Sequence, residues 1–423
     1  MAVTSKPARK IVPGPIGEDA ERDVETPLRQ PGDTAAPVSD GEGIAVPPAG
    51  DKEGEDLRVS TVSTESQSYS ALVWRRFRRS IPGMLGLTLA LLLLIVALFA
   101  RFFAPMDPKE PAIAFAPPDR ISWHVPGDGP EAGWRLLPVV FPITESDELD
   151  PVTFQPITGP DYDNPRPLRF FVKGWEYRFL GMTFDRHFIG VADGSPLHLL
   201  GTDKLGRDIL SRGIVGSQIS LAIALTSITL ITIIGTLVGI TSGYIGGRFD
   251  MWFQRFVDIV LAFPQLPFYL ALASLIPVTA PSLLFLTFVV LVIVGLGWAQ
   301  LSREIRSKTM ALRGVDYVRA AMAVGASDRR IITRHILPNV VSHVIVAVTL
   351  GIPTIVLLES FLGFLGFAVK PPLISWGLML QDAGTFSVIG SYPWILSPVG
   401  FVLLTVFAFN ALGDGLRDAI DPY

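Results

Sequence analysis

The stretch IVLAFPQLPFYLALASLIPVTAPSLLFLTFVVLVIVGLGWAQLS, residues 259–302, runs for 44 residues without an Asp, Glu, Lys or Arg. A bilayer core about 30 Å thick is crossed by roughly 20 apolar residues in a helix, so this block holds two spans and a short connection. Similar blocks recur on either side. Arg79 and Arg101 enclose 21 uncharged residues, Arg212 and Arg248 enclose 35, and Asp382 and Asp414 enclose 31. Hydrophobic residues make up 49% of the 423, charged ones 17%. The chain reads as an all-α polytopic membrane protein. The spacing predicts six transmembrane helices, at 83–103, 214–242, 257–276, 282–301, 340–359 and 394–413.

The four arginines of WRRFRRS (74–80) stand directly before the first span and assign the N-terminus to the cytoplasm. Six spans return the C-terminus to the same side. The short loops agree. Linker 243–256 carries Arg248 and Arg255, and loop 302–338 has eight Lys or Arg against three acidic residues. The opposite linkers, 277–281 and 360–393, carry only the cation Lys370. This pattern predicts that both termini are cytoplasmic.

Residues 1–70 are rich in Pro, Gly and Ser, with 13 acidic against 7 basic side chains, and are expected to form a disordered acidic tail. Residues 71–103 hold the basic segment and span 1. Residues 104–212 form an external insert whose aromatic runs, bounded by Gly, Pro and Asp, predict a small β-rich subdomain. Trp123, Trp134, Phe170, Phe171, Trp175 and Tyr177 are expected to make its core. Residues 213–423 carry spans 2 to 6.

Within the spans, Gly235, Gly239 and Gly243 recur every fourth residue, the spacing that lets helices approach closely in lipid. They serve either packing within the chain or a dimer seam. Pro264 and Pro267 predict a break or kink in span 3. Asp258 and Glu359 fall at expected span ends and His343 near the start of span 5, which leaves an uncharged pathway. That argues against an ion-coupled carrier. With no cysteine there is no disulfide or thiolate site. No Gly-Lys pair occurs, so no P-loop exists to hold ATP, and neither HExxH nor GxSxG is present. No catalytic residue, resident metal, cofactor or nucleic-acid partner is expected.

The basic loop is the segment left to explain: RAAMAVGASDRRIITRHILPN, 319–339. Asp316 is expected to cap a helix over 317–324. Gly325 would close it in the left-handed conformation. Ser327 would cap a second helix, 328–336, which Pro338 ends. Val318, Ala321 and Met322 form a thin face suited to a partner's groove. A chain without an energy source that presents a helical knob implies a motor on another chain.

Here the residues resemble a family. The stretch is similar to the EAA loop of importer-type ABC transporter permeases, with Ala320, Ala321, Gly325, Leu337 and Pro338 on the motif positions. Arg319 stands where the general motif has Glu, and His335 precedes Leu337-Pro338 as in the dipeptide/oligopeptide branch. LLGTDKLGRDILSR (199–212), GYIGGRFDMWFQRFVDIVLAFP (243–264) and GDGLRDAIDPY (413–423) resemble further signatures of that branch. The likeness covers about 70–110 and 198–423, but neither the tail nor the insert. It implies a type I importer and a second, C-type permease paired with a homologous sister. Two cytoplasmic P-loop ATPases would bind ATP and Mg, and an external binding protein would deliver peptides or similar polar solutes. The family also moves nickel, opines and oligosaccharides. Asp316, Arg319, Ala320, Ala321, Gly325, Ser327, Asp328, His335, Leu337 and Pro338 would then form the ATPase-coupling loop. Gly201, Thr202, Asp203, Gly206, Arg207 and Asp208 form either an interfacial turn, with Asp203 capping a short helix and Arg207 and Asp208 at the headgroups, or a gate or binding-protein contact. An ion-coupled carrier or channel, or a structural protein working through its insert, are the alternatives from other classes.

Overall fold

The computed structural model describes residues 69–125, 133–149, 156–191, 195–277, 279–367 and 369–420. Of the expected tail, only Tyr69 and Ser70 lie among the described residues, at the start of α1 (Tyr69–Phe77). Ser80 then caps α2 (Ile81–Leu98), its hydroxyl accepting from the Gly83 N–H at 3.2 Å. A break at Phe99 leads into the short α3 (Ala100–Phe103).

The insert comes next as β1 (Arg120–Val125), β2 (Gly133–Phe141), β3 (Ile143–Leu149), β4 (Pro156–Pro160), β5 (Arg166–Phe179) and β6 (Met182–Val191). The order β1-β2-β5-β6 forms one antiparallel sheet, and β3-β4 a separate hairpin. The expected β-rich subdomain is present, but its core is not the aromatic one. Trp123, Trp134, Phe170 and Phe171 are exposed, and of the six only Tyr177 is fully buried. Aliphatic side chains fill two small clusters instead, one of them Val125 and Val139 with Phe141. In the other, Val140, Leu168 and Val191 pack on Leu197 of the segment after β6, with Met106 and Leu199.

The helical part comprises α4 (Ile209–Ile245), α5 (Gly247–Ala262), α6 (Gln265–Ala273), α7 (Ser282–Arg313), α8 (Asp316–Ala323), α9 (Asp328–Ile331), α10 (Leu337–Phe364), α11 (Trp376–Leu380), α12 (Phe386–Ser391) and α13 (Ser397–Ile420). Among the described residues five helices are long and apolar enough to cross a membrane, six if the bent pair α5–α6 is one span. That pair turns by 77° at Phe263–Pro264, the break the prolines predict. Several helices outrun their apolar windows; α7 continues twelve residues past Leu301, since a helix keeps its own backbone bonds in water as well as in lipid.

The glycine repeat of α4 meets α7. A Cβ at Gly239 would lie 2.6 Å from the Ser302 carbonyl oxygen, and one at Gly243 2.8 Å from that of Arg306. The repeat is a packing seam within the chain. Lipid offers no hydrophobic drive between helices, so such close van der Waals approach holds the bundle.

Candidate functional site

The long α7 carries the basic loop away from the spans, and the loop folds as helix, turn and helix. The N-cap of α8 is Val315, not Asp316, which occupies the first helical position. A carboxylate there still favours the positive end of the helix dipole. Gly325 has φ +79°, its N–H donates to Met322 O at 3.0 Å, and the Ala326 N–H donates to Ala321 O at 3.0 Å. These two bonds form a Schellman motif and end α8 as expected. Ser327 is the N-cap of α9, but its side chain makes no capping bond.

Pro338 does not end the second helix. The chain runs from Asp328 to Phe364 as one span-length helix with a π turn at Ile332–Ile336. The Leu337 N–H donates to Ile332 O, five residues back, and this wider turn admits a proline at the start of α10. Asn339 occupies the same turn. Its Nδ2 donates to His335 O at 2.7 Å and to the Tyr317 hydroxyl at 3.2 Å, tying α8 to α10. The ring of His335 lies 6.1 Å from that of Tyr317.

The face of α8 expected to dock outward is turned inward instead. Val318 is fully buried with Ile331, Ile336 and Val340, and Met322 packs beside them. Spacings of three and four place these residues on one side, and the main core claims it. The outward surface is Asp316, Tyr317, Arg319, Ala320, Ala323 and Val324, with Val324 85% exposed. Ala321 sits half-buried at the border. Asp328 reaches α4 by accepting the Tyr244 hydroxyl at 2.6 Å, and the Arg313 guanidinium lies over the Tyr244 ring. Arg306 is engaged by Asp250, its Nε and Nη2 each 2.5 Å from a carboxylate oxygen, and Arg303 pairs with Asp258. Arg329 and Arg330 are exposed.

Beside this loop a cleft of about 1130 Å³ opens between α4, α6, α7, α10 and α13. Its walls run from Tyr269 and Leu358 to Lys308, Asn339 and Arg417. The uncharged pathway expected from the sequence is not what lines it. Glu304 accepts from Gln300 Nε2 at 3.0 Å and lies 3.3 Å from His343 Nε2, all three on the cleft wall. The uncharged block of the sequence ends at Ser302 while α7 runs on to Arg313, so the block alone misses the polar groups that the helix carries along the same cleft. Nor does Glu359 sit at a helix end. It is buried within α10, where Ser220 Oγ donates to Oε2 at 3.1 Å and accepts from the Trp376 N–H at 3.1 Å. The signal was available: Glu359 is the sole Asp, Glu, Lys or Arg between Arg334 and Lys370.

At the other end of α4, GTDKLGRD folds into a closed knot. Asp203 caps no helix. Its Oδ1 accepts from the Leu205 and Arg207 N–H groups at 2.8 and 3.0 Å, its Oδ2 accepts from Arg207 Nε at 2.8 Å, and Arg212 Nε lies 3.3 Å away. Asp208 is buried as the N-cap of α4; it accepts from the Ser211 N–H at 2.6 Å and meets His198 Nδ1 at 3.2 Å. Thr202 Oγ1 donates to Ile113 O and accepts from the Ala116 N–H. Gly201 and Gly206 have φ of +74° and +76°, and a Cβ on Gly206 would fall 2.1 Å from Ala112 O. Asp119, bonded to the His198 N–H at 2.6 Å, is pushed above the ordinary carboxylate range by burial, against the pull of that bond. Lys204 reaches Asp382 at 2.8 Å.

Apolar spans, a polar cleft and an exposed helical knob define the membrane-embedded part of a transport machine. Residues 235–423 match the binding-protein-dependent transport system inner membrane component family, and residues 68–118 match the N-terminal transmembrane domain of oligopeptide transport permease C. The chain is 40% identical over 226 residues to the oligopeptide transport system permease protein OppC of Haemophilus influenzae, covering 53% of this chain and 70% of that protein. It is 39% identical over 226 residues to OppC of Bacillus subtilis, covering 53% of this chain and 72% of that protein. With the dipeptide transport system permease protein DppC of Alkalihalophilus pseudofirmus it shares 40% over 230 residues, 54% of this chain and 73% of that one. The chain belongs to the binding-protein-dependent permeases, in their C-type oligopeptide and dipeptide branch. The six strands of the insert lie between the two matched regions.

Proposed function

We propose that this chain is the C-type permease subunit of an ATP-driven importer of peptides. The observation that carries the reading is the outward face of α8. Asp316, Tyr317, Ala320 and Val324 stand exposed at the end of a helix–turn–helix whose other face is locked into the core. Such a face is built to receive a partner. The partner is one of two cytoplasmic P-loop ATPases, and the loop's eight cations support a cytoplasmic position for it. The chain contributes no catalysis; ATP and Mg belong to the partner subunits.

Movement of α8 reaches the spans through two contacts: Asp328 to Tyr244 on α4, and Tyr317 to Asn339 on α10. These helices border the cleft that, closed by a homologous sister permease, forms the pathway. An external binding protein delivers the solute from the opposite face of the inner membrane. Peptide as solute comes from the named activities of the relatives, and the polar cleft lining suits it. GTDKLGRD serves this reading as the rigid foot of α4, not as a gate.

The test is uptake of a labelled tripeptide into proteoliposomes holding both permeases, the ATPases and the binding protein. ATP-dependent uptake that an Ala320→Glu, Ala321→Glu double variant abolishes, with both permeases still inserted, is the expected result. Wild-type uptake by that variant would overturn the coupling assignment.

A further inference from the structure

The β5–β6 hairpin leaves an apolar surface that the transport reading does not use. Its turn places Leu180 at φ +48° and Gly181 at φ +84°. With both central residues in the left-handed region, Asn-Gly or Asp-Gly is the favoured chemistry. A bulky apolar residue is disfavoured at such a φ. Yet Leu180 stands there, 83% exposed. Met182, Phe184, Phe170 and Phe171 on the same hairpin are exposed too. Contact with water explains none of these choices.

The position of the hairpin does. The 18 residues of α2 rise about 27 Å, close to the hydrocarbon thickness of about 30 Å. Its end at Leu98 therefore marks a hydrocarbon edge. The hairpin lies against that edge: the Phe179 ring is 5.3 Å from Phe99, Phe171 is 6.1 Å from Phe102, and Phe188 is 5.4 Å from Phe103. Arg101 Nη1 also donates to the Arg178 carbonyl at 3.1 Å. Leu98 and Phe99 are themselves exposed, so the hairpin continues the lipid-facing surface of span 1. The charges fit the same place. Arg166, Arg169, Lys173, Arg178 and Arg186 outnumber Glu176 and Asp185 along the two strands. Cations beside large apolar side chains suit an interface with anionic lipid headgroups.

We infer that the β5–β6 hairpin is a membrane anchor within the insert. Leu180 and Met182 enter the acyl boundary of the leaflet where span 1 ends, and the arginines meet anionic headgroups above them. The insert is thereby held flat on the bilayer, and its orientation depends on lipid as well as on the spans.

The chain has no cysteine, so single labels need no background removal. Leu180→Cys, Met182→Cys and, on the acidic β3 strand, Glu145→Cys are each spin-labelled in the full chain. The chain is reconstituted in phosphatidylethanolamine–phosphatidylglycerol vesicles, and collision with oxygen is compared with collision with a water-soluble nickel chelate. The labels at 180 and 182 are expected to favour oxygen several-fold, and the label at 145 to favour nickel. Nickel access at 180 and 182 equal to that at 145 would overturn the anchor by placing the tip in water. Exclusion of both reagents would overturn it by showing that protein covers the tip. Replacing phosphatidylglycerol with phosphatidylcholine should lower the oxygen preference; an unchanged ratio would overturn the role of anionic headgroups. If Leu180→Cys does not fold, Met182→Cys and Phe184→Cys, which replace residues outside the turn, carry the same test. None of these readouts depends on which solute is moved, or on whether one is.

Discussion

GTDKLGRD and VRAAMAVGASDRR stand at opposite ends of α4, and both are polar segments next to lipid. In the first, Asp203 holds both Arg207 and the neighbouring Arg212, and Asp208 caps α4 and meets His198, all inside the chain. In the second, Asp316, Arg319, Arg329 and Arg330 are exposed, and only Asp328 is spent on an internal bond. The knot fixes where α4 begins; the loop leaves its charged surface exposed. Charge in a motif therefore reports function only after its internal partners are subtracted.

The sharpest test of that contrast is Asp203→Ala. It leaves Arg207 and the buried Arg212 without their carboxylate, and removing one member of a buried ion pair costs roughly 3–5 kcal/mol. Thermal melting in detergent should show a large fall in stability and loss of monodisperse protein. An unchanged melt would break the contrast at once. Gly325→Val comes next. Nothing lies within 4 Å of a Cβ at Gly325, so only the backbone term applies. Its φ of +79° makes that about 1 kcal/mol or somewhat more. The spans should stay folded while co-purification with the ATPase weakens; undiminished co-purification would count against the turn as part of the docking unit.

Tyr244→Phe removes the hydroxyl that Asp328 accepts. A net loss of about 1 kcal/mol is expected, seen as faster amide exchange over 326–332 than in the wild type. Equal exchange would mean that α4 and the loop are not joined there. Ala320→Glu should perturb the fold least, within about 0.5 kcal/mol as for an exposed site. Uptake should nevertheless fall to a small residue of the wild-type rate. A melt as poor as that of Asp203→Ala would show that the loop, too, is structural.

Much of the architecture was legible because its signals are local. Uncharged block lengths locate the spans, Pro264 and Pro267 mark the 77° break between α5 and α6, and Gly325 marks the end of α8. The errors share a cause. Asp316 and Ser327 are good capping residues, but the bonds they could make depend on where neighbouring elements let the backbone turn. Pro338 reads as a stop only while every turn is assumed to be α, and the π turn before it removes the clash. The insert's aromatics read as a core because large apolar groups are usually buried, a rule that assumes water on the outside.

By itself the sequence determined the features that composition along the chain dictates: a membrane-spanning helical protein, its folded β insert, the helix–turn–helix loop and the family resemblance. Tertiary structure alone decided which face of each element is occupied. Val318 went inward and Ala320 outward, Glu304 and His343 met across the cleft from α7 and α10, and Glu359 found Ser220 on α4. Those pairs are separated by 39 and 139 residues. The periodicity of one helix states that it has a face, but not which distant helix will cover it; that is settled only when the bundle packs.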